Sequence, residues 1–361
     1  MGRVLSLSLS DLNPLRGEEA YLCADIGSAS VKILEVCGKG SKLRVSGFGA
    51  MPTPTGAVQS NMVYDPGAVG EVVHALVESK KMKARKVVTA VPGPAVIIKR
   101  MTLPAQSAEE IENTILYKAG NFIPEDLENV NLDYQITDYL DDGKRVEVML
   151  VAAKRDIVSS YADTIRAAGL SPMIVDVDYF ALENMYELNY QESGDAPVAL
   201  VNIGARYSCM NILRGGRSTF TGDVPVGGKE FNDALVRNLG VSAVDAETIK
   251  LGTNPAHPID QIEPILQPVK EFLAEEIHRA LSFFWTAATD EQISAILLSG
   301  GTSRVPGLVS LLSERLEVPV QVVNPLTKVR LAHDVDRAAL EKDAPAFAIA
   351  VGLGVRRPGD K

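Results

Sequence analysis

The sequence has few of the residues that form metal centres or disulfide frameworks. Its 361 residues include three cysteines and four histidines, and neither set is clustered: the cysteines are Cys23, Cys37 and Cys209, and the histidines are His74, His257, His278 and His333. This spacing argues against a zinc cluster and against a disulfide-stapled fold. It fits a reducing compartment in which Cys23 and Cys209 fill the core.

Long apolar runs are also missing. Nowhere do eighteen apolar residues follow one another, so the sequence predicts no helix that spans a membrane. Acidic residues outnumber basic ones, 46 to 36, for a formal net charge of -10. The basic cluster near residues 80–86 is short and is typical of a solvated helix end. We therefore expect no nucleic-acid partner.

The motifs of several common enzyme classes are absent. There is no GxxxxGK(S/T) loop, no GxGxxG after a strand, no GxSxG and no HExxH. A P-loop, a dinucleotide fingerprint, a nucleophile elbow and a zinc-protease helix are thereby excluded.

What the sequence does contain is the alternation of strands and helices that is typical of an α/β protein. After an N-terminal arm over residues 1–19, which we expect to be mobile, strands are predicted over 21–27, 31–36 and 43–51. A helix near 66–79 and a buried strand over 86–91 follow. Hydrophobic residues make up 46 % of the chain, enough for a compact protein of two or three domains.

Residues 96–175 have a different pattern, which predicts an inserted α+β module. Ser107 and Glu110 form a capping box. It opens an amphipathic helix whose predicted apolar face consists of Ile111, Ile115, Leu116, Ala119 and Phe122. Two strands near 133–140 and 145–153 are joined by Asp141-Asp142-Gly143, a hairpin signal, and a helix near 155–168 follows.

The chain then repeats its opening pattern. Val198–Gly204 is a predicted strand that ends in an Asn-Ile-Gly turn, as Tyr21–Gly27 ends in Asp-Ile-Gly. Returning strands at 208–213 and 217–225 follow it, then helices near 228–238, 243–251 and 262–289 and a strand at 294–298. Such an echo predicts two related lobes across a cleft, although two short glycine turns can also coincide by chance.

Two turns and one helix pair have the chemistry of a nucleotide site. In the first, the amides of Gly27, Ser28 and Ala29 could face a phosphate. Lys32 could neutralise it, and Asp25 could hold Mg²⁺ through water. An ordinary hairpin turn is the alternative.

The other two candidate elements are Gly300-Gly301-Thr302, where a purine or ribose could approach the backbone, and the pair Glu247 and Lys250. That pair shares one helix face and could bond a ribose or form a surface salt bridge.

These residues resemble the actin, Hsp70 and sugar-kinase superfamily. Asp25-Ile26-Gly27-Ser28 with Lys32 is similar to its first phosphate loop, Asn202 to Gly204 to its second, and Gly300 to Thr302 to its adenosine loop. The resemblance implies an actin-like (ribonuclease H-like) two-lobed fold that binds ATP and Mg²⁺. It favours a ligand role over a salt bridge for Glu247 and Lys250, includes Gly228 among the candidate nucleotide contacts, and makes residues 345–352 the helix that closes between the lobes.

Within the superfamily the chain resembles the PilM family of type IV pilus assembly proteins, next to FtsA. The stretches that carry this resemblance are Leu103-Pro104 with Glu109 to Glu112, Lys118 to Pro124 with Asn131 to Tyr134, and Asp176 to Asp178 with Ala181 to Asn184. The resemblance implies that the inserted module is an SHS2-like 1C subdomain. It also implies a cytoplasmic scaffold, peripheral to the inner membrane through its partners, in the machine that drives twitching motility.

The same resemblance implies that the N-terminal cytoplasmic tail of PilN binds in a groove between the first lobe and the insertion. Other pilus motor or platform components and self-assembly stay open as partners. The predicted domains are 1–19, arm; 20–97, lobe 1 (1A); 98–172, insertion (1C); 173–195, crossing helix; 196–226, lobe 2 (2A); 227–293, helical 2B; 294–344, lobe 2 (2A); and 345–361, return to lobe 1.

One departure from the superfamily concerns hydrolysis. The second phosphate loop usually opens with Asp, whereas this chain has Asn202, which cannot accept a proton. Asp178 is the remaining candidate to position a water. We therefore predict slow or absent hydrolysis, at most a weak ATPase. The alternatives are a small-molecule kinase, disfavoured because no further acidic candidate for its base is found, and an FtsA-like division protein, disfavoured because residues 355–361 do not form an amphipathic helix.

Overall fold

The structure is a computed structural model that describes residues 19–190, 196–287 and 292–360. The predicted N-terminal arm lies outside the described residues except for Glu19. The strands, in chain order, are β1 Tyr21–Ile26, β2 Ser30–Cys37, β3 Arg44–Pro52, β4 Val58–Gln59, β5 Met62–Val63, β6 Lys86–Val91, β7 Val96–Pro104, β8 Val130–Leu140, β9 Arg145–Lys154, β10 Ser171–Val177, β11 Val198–Ile203, β12 Ser208–Arg214, β13 Arg217–Val224, β14 Ala295–Ser299, β15 Val320–Val322 and β16 Arg330–Leu331.

The α-helices lie between these strands and cover the sheets. They are α1 Pro66–Ser79, α2 Ala108–Ala119, α3 Arg155–Ala167, α4 Asp178–Tyr190, α5 Gly228–Leu239, α6 Ala243–Lys250, α7 Ile259–Ala287, α8 Leu308–Leu316, α9 Arg337–Asp343 and α10 Ala348–Leu353. Within the described ranges, no helix is long and apolar enough to cross a membrane.

Two large sheets share one topology. The first has the order β10-β6-β1-β2-β3-β16 and the second β13-β12-β11-β14-β15. In each, the opening strand pairs antiparallel with the next strand and parallel with a later one, β1 with β2 and β6, and β11 with β12 and β14. This shared order confirms that the repeated sequence pattern marks two related lobes.

The crossing helices α4 and α10 pack against each other between the two sheets. One buried cluster includes Leu22 of the first sheet, Leu182 of α4, Val351 of α10 and Leu200 of the second sheet. A Cβ on Gly352 would overlap the Ala181 carbonyl oxygen, so only glycine allows this close helix crossing. The opposite face of the second sheet has its own core with α5 to α8. Cys23 and Cys209 are buried and unbridged, as expected of core residues.

The inserted module has a separate core beneath a three-stranded sheet of order β7-β9-β8. The capping box of Ser107 and Glu110 is present. Ile111, Ile115 and Ala119, spaced by four, are buried. Leu116 and Phe122 are each 45 % exposed, so their assignment to the buried face was wrong. Leu116 is one residue past Ile115 and turns away by about 100°, and Phe122 follows the end of α2.

Two boundaries differ from the predicted domains. The predicted insertion ran to residue 172, but α3 packs on the first lobe and β10 pairs with β6 in the first sheet. The predicted second-lobe segment ran to residue 344, but β16 pairs with β3, and Leu326 and Leu340 lie in the first core. The chain therefore returns to the first lobe before its final helix begins.

Candidate functional site

Matching turns follow β1 and β11. The amide of Gly27 donates to the Ser30 carbonyl at 3.1 Å, and the amide of Gly204 donates to the Tyr207 carbonyl at 3.1 Å. The two amides thus close their own turns, which argues against Gly27 as a phosphate donor in this conformation. Ser28 and Ala29 lie between Gly27 and Ser30 at the apex of the first turn, and their amides stay the candidate phosphate donors.

Asp25 and Lys32 face each other across the β1–β2 pair. Lys32 Nζ lies 2.9 Å from Asp25 Oδ2, and both side chains are 15 % exposed. Among the described residues, no group of three or more His, Cys, Asp or Glu could hold a metal. Since Mg²⁺ often takes one or two carboxylates and completes its shell with phosphate and water, Asp25 fits Mg²⁺ only together with a bound phosphate.

The second lobe brings three of the predicted glycine and threonine positions together. The Gly204 carbonyl accepts from the Gly228 amide at 2.8 Å and from the Thr302 hydroxyl at 3.2 Å. The Gly300 amide donates to the Pro345 carbonyl at 2.9 Å, which ties this turn to the return segment. Gly301 differs from its neighbours, because an added Cβ there would meet no atom within 4 Å. Gly301 therefore borders open space.

Lys250 and Glu247 form an ion pair beside this junction. Their Nζ–Oε2 distance is 2.6 Å, with Lys250 3 % and Glu247 48 % exposed. Burial lowers the pKa of Lys250, although Glu247 opposes this. Burial alone would raise the pKa of Glu247, but the Lys250 charge and hydrogen bonds from Lys250 and Asn232 outweigh it and lower the pKa. Of the two sequence alternatives, the salt bridge is formed, and a ribose contact stays a prediction.

Asn202 is the second-to-last residue of β11 and lies next to the turn that begins at Gly300. Its Oδ1 accepts from the Ser299 hydroxyl at 3.1 Å, and an added Cβ on Gly300 would lie 3.0 Å from the same oxygen. The residue is 9 % exposed. An amide suits this buried position because it needs no counterion.

Asp178 begins α4 and links the two lobes. Its Oδ2 accepts from the Tyr207 hydroxyl at 3.0 Å, while its buried Oδ1 has no hydrogen-bond partner among the described residues. Burial raises the pKa of Asp178 to about 7, and the Tyr207 hydrogen bond opposes that rise. After burial, the charges of Asp178 and Asp25 raise the pKa of Tyr161 further. Asp25 and Asp178 therefore both lie near Tyr161, and Tyr207 brings the second-lobe turn to Asp178.

The sequence reasoning missed Tyr161, Tyr207 and Arg304. Arg304 pairs with Asp343 and donates to the Lys342 carbonyl at 3.1 Å. Its positive charge also acts on Glu247 and Lys250, where it lowers both pKa values. Tyr207 and Arg304 each follow a glycine turn by a few residues, which is the signal that could have found them. Tyr161 lies on α3, far from both turns in sequence.

A cavity of about 1030 Å³ lies away from the cleft, where the inserted module meets both lobes. Its lining includes residues 133–138 of β8, 175–177 of β10, 183, 184, 186 and 187 of α4, and 214–219 at the β12–β13 turn. Among the described strands, β8 and β10 are the terminal strands of their sheets. Six consecutive β8 residues line the cavity, so the strand presents its edge to it. We call this cavity the edge groove.

A second, smaller cavity of about 190 Å³ lies between Pro94 and Ala95 of the first lobe and Val96, Ile97, Ile123, Pro124 and Val130 of the insertion. Both cavities lie beside the insertion, where the family resemblance predicted a partner groove.

The paired lobes, their matching turns and the crossing helices define a protein of the actin-like ATPase fold. The chain belongs to the PilM family: residues 23–358 match the family described as Type IV pilus assembly protein PilM. A solved structure described as "PilM-PilN type IV pilus biogenesis complex" is 30 % identical, with a TM-score of 0.83 over 95 % of this chain and 100 % of that chain.

Two further relatives are more distant. The ethanolamine utilization protein EutJ from Carboxydothermus hydrogenoformans has a TM-score of 0.58 at 16 % identity, covering 95 % of this chain and 91 % of that chain, which shows the fold alone. The cell division protein FtsA of Bacillus subtilis (strain 168) is 20 % identical over 361 residues, covering 86 % of this chain and 80 % of FtsA. The family match makes the chain a type IV pilus assembly protein rather than a division protein or a sugar kinase.

Proposed function

We propose that the protein is an ATP-binding scaffold of the inner-membrane type IV pilus assembly complex and that it binds the cytoplasmic N-terminal tail of PilN. The observation that carries this proposal is the edge groove, a cavity of about 1030 Å³ at the junction of the inserted module and the lobes. The similar PilM–PilN complex supports the choice of partner.

Two features make the edge groove suited to an extended peptide. β8 is a terminal strand of its sheet, so its outer edge turns main-chain groups towards the cavity, and the Thr137 carbonyl among them accepts from Arg217. An added peptide strand would pair with this edge. The β10 edge and α4 supply the opposite wall, so alternate side chains of the peptide would enter the cavity between them. A tail bound there would hold the protein at the cytoplasmic face of the inner membrane through its partner.

The cleft supports nucleotide binding by its arrangement of charge and space. Ser28 and Ala29 offer amides, Lys32 offers a cation, and Asp25 offers one carboxylate for Mg²⁺ shared with phosphate oxygens. Open space beside Gly301, next to the Glu247–Lys250 pair, would take the adenosine. Asp25 and Lys32 neutralise each other as an ion pair. Bound Mg²⁺ would instead interact with Asp25, and the phosphate with Lys32, so two ionic contacts would replace one.

Hydrolysis is proposed to be slow or absent. Asn202 contributes a hydrogen-bond acceptor but no negative charge and no proton-accepting carboxylate. Asp178 has a free oxygen and a pKa near neutrality, which suits a general base. Its other oxygen is held by Tyr207, and the side chain is 4 % exposed, so a water has restricted access to it.

A titration with a fluorescent peptide that copies the PilN cytoplasmic tail from the same organism tests the proposal. We expect saturable binding of that peptide, no binding of a scrambled peptide, and a change in affinity when Mg²⁺ and ATP are added. Absence of binding in both conditions would overturn the partner assignment. A phosphate-release assay tests the second part, and turnover of about one per second or faster would contradict slow hydrolysis.

A further inference from the structure

The interior of the edge groove is acidic. Seven carboxylates and four arginines line the cavity, so negative charges are in excess. Three of the carboxylates lie together on its inner wall: Glu183 and Glu187 from α4 and Asp176 from β10. Burial raises the pKa of Glu183 to about 7. The hydrogen bond from the Ser218 amide and the charge of Arg100 oppose this rise, and repulsion from Glu187 and Asp176 adds to it. These three groups are therefore close enough to repel one another.

The arginines of the groove already have partners. Arg100 pairs with Glu147 at 3.2 Å and donates to the Ser218 carbonyl. Arg356 Nε lies 3.1 Å from Asp176 Oδ2. Arg217 donates to the Thr137 carbonyl at 2.7 Å. Their charges are spread over the walls, and the inner wall keeps more negative than positive charge.

Two buried polar atoms on the same wall have no hydrogen-bond partner among the described residues. Asp176 is 7 % exposed, and its Oδ2 makes no hydrogen bond within the described ranges, although it forms the ion pair with Arg356. The amide nitrogen of Asn184 has no acceptor in the described part of the chain. Such groups are costly unless a ligand or water satisfies them. A binding segment that brings a donor to the carboxylates and an acceptor to Asn184 would satisfy both.

We propose that the edge groove selects a tail segment that carries a basic side chain, and that Glu183 is the carboxylate that pairs with this side chain. The inference rests on the proposed function, because it assumes that the PilN tail occupies the groove. An extended main chain along β8 would place one side chain towards α4. A lysine or arginine there would relieve the repulsion among Glu183, Glu187 and Asp176, and a neutral side chain would leave it in place.

A double-mutant cycle tests the pairing. The probes are the PilN tail peptide and a copy in which every lysine and arginine is replaced by glutamine. The protein variants are Glu183→Gln, whose amide oxygen can still accept from the Ser218 amide at 3.2 Å, and Glu109→Gln as an exposed control on α2. We expect the basic peptide to lose about tenfold or more in affinity on Glu183→Gln, and the neutral peptide to bind both proteins equally.

Each result of these titrations supports or overturns one part of the proposal. Equal binding of both peptides to the unmodified protein would overturn the charge selection while leaving tail binding intact. Failure of both peptides to bind would instead remove the proposed function. If acetylation of the peptide amino terminus lowers the affinity and the glutamine replacements do not, the groove selects the terminal amino group. That result would overturn the proposal of a basic side chain. A reversed pair, Glu183→Lys with a glutamate peptide, is expected to recover part of the affinity.

Discussion

Lys250 is a buried cation whose partner is half exposed. Glu247 also accepts a hydrogen bond from Asn232 at 2.9 Å, so its carboxylate keeps a partner when Lys250 is replaced. Replacing Lys250 with methionine should therefore change the free energy of unfolding by less than about 1 kcal/mol, since it removes the group that burial penalises. ATP affinity should fall about tenfold or more, measured by calorimetric titration. Lys229→Met, at an exposed lysine of α5, is the control, and unchanged ATP affinity in Lys250→Met would show that the pair is only structural.

Asp178 gives the protein a pH-dependent stability. Its folded pKa, about 7, lies above the ordinary value of 3.8, so the folded state holds the proton more tightly and stability falls as pH rises from about 4 to 7. Asp178→Asn removes this loss and keeps an oxygen acceptor for Tyr207. The variant should become more stable relative to the unmodified protein across that window, by up to about 4 kcal/mol.

Denaturant unfolding at several pH values measures this difference, with Asp163→Asn, at an exposed salt bridge, as control. Parallel stability curves for Asp178→Asn and the unmodified protein would contradict a raised pKa at this position.

At the scale of an element, the two glycines of the adenosine turn, Gly300 to Thr302, have different roles: Gly300 is required by the fold, and Gly301 borders the proposed nucleotide site. Gly300 has φ 86° and packs against Ile203, whereas Gly301 has an ordinary backbone and faces open space. Gly301→Val should fold normally and occupy the space where a ribose or purine would enter, so ATP affinity should fall about tenfold or more. Fluorescent-nucleotide titration and thermal denaturation test this. Gly120→Val, at an exposed position of the insertion, should alter neither, and full ATP affinity in Gly301→Val would place the nucleotide elsewhere.

The elements that were predictable are those fixed by local signals. The echo of Asp25-Ile26-Gly27 in Asn202-Ile203-Gly204 gave the two lobes, because a turn sequence and its flanking strands lie together in the chain. The capping box at Ser107 placed the start of α2. By contrast, β16 is only two residues long and joins the first sheet through a contact with β3 that is distant in sequence. Arg304 and Tyr161 likewise gain their positions from tertiary packing, which no local pattern encodes.

Across the whole molecule, polar contacts join the second lobe to the rest of the chain at two places. Near the cleft, Tyr207 donates to Asp178, and Tyr179 donates to Asp223. Beyond α4, the β12–β13 turn contacts the insertion, where Arg217 donates to the Thr137 carbonyl. A nucleotide that changed the lobe angle would therefore move one wall of the edge groove. A ligand can do this only to the extent that it binds the two arrangements with different affinity.

Such coupling is reciprocal and can be measured at one residue. If ATP changes the dissociation constant of the tail peptide by some factor, the peptide must change that of ATP by the same factor. Arg217→Ala breaks the contact at Thr137 and should bring the factor closer to one, whatever its effect on peptide affinity alone. Calorimetric titration of each ligand with and without the other gives the factor. Arg337→Ala, which removes an exposed salt bridge within α9, should preserve it, and an unaltered factor in Arg217→Ala would show that lobe movement reaches the groove by another route.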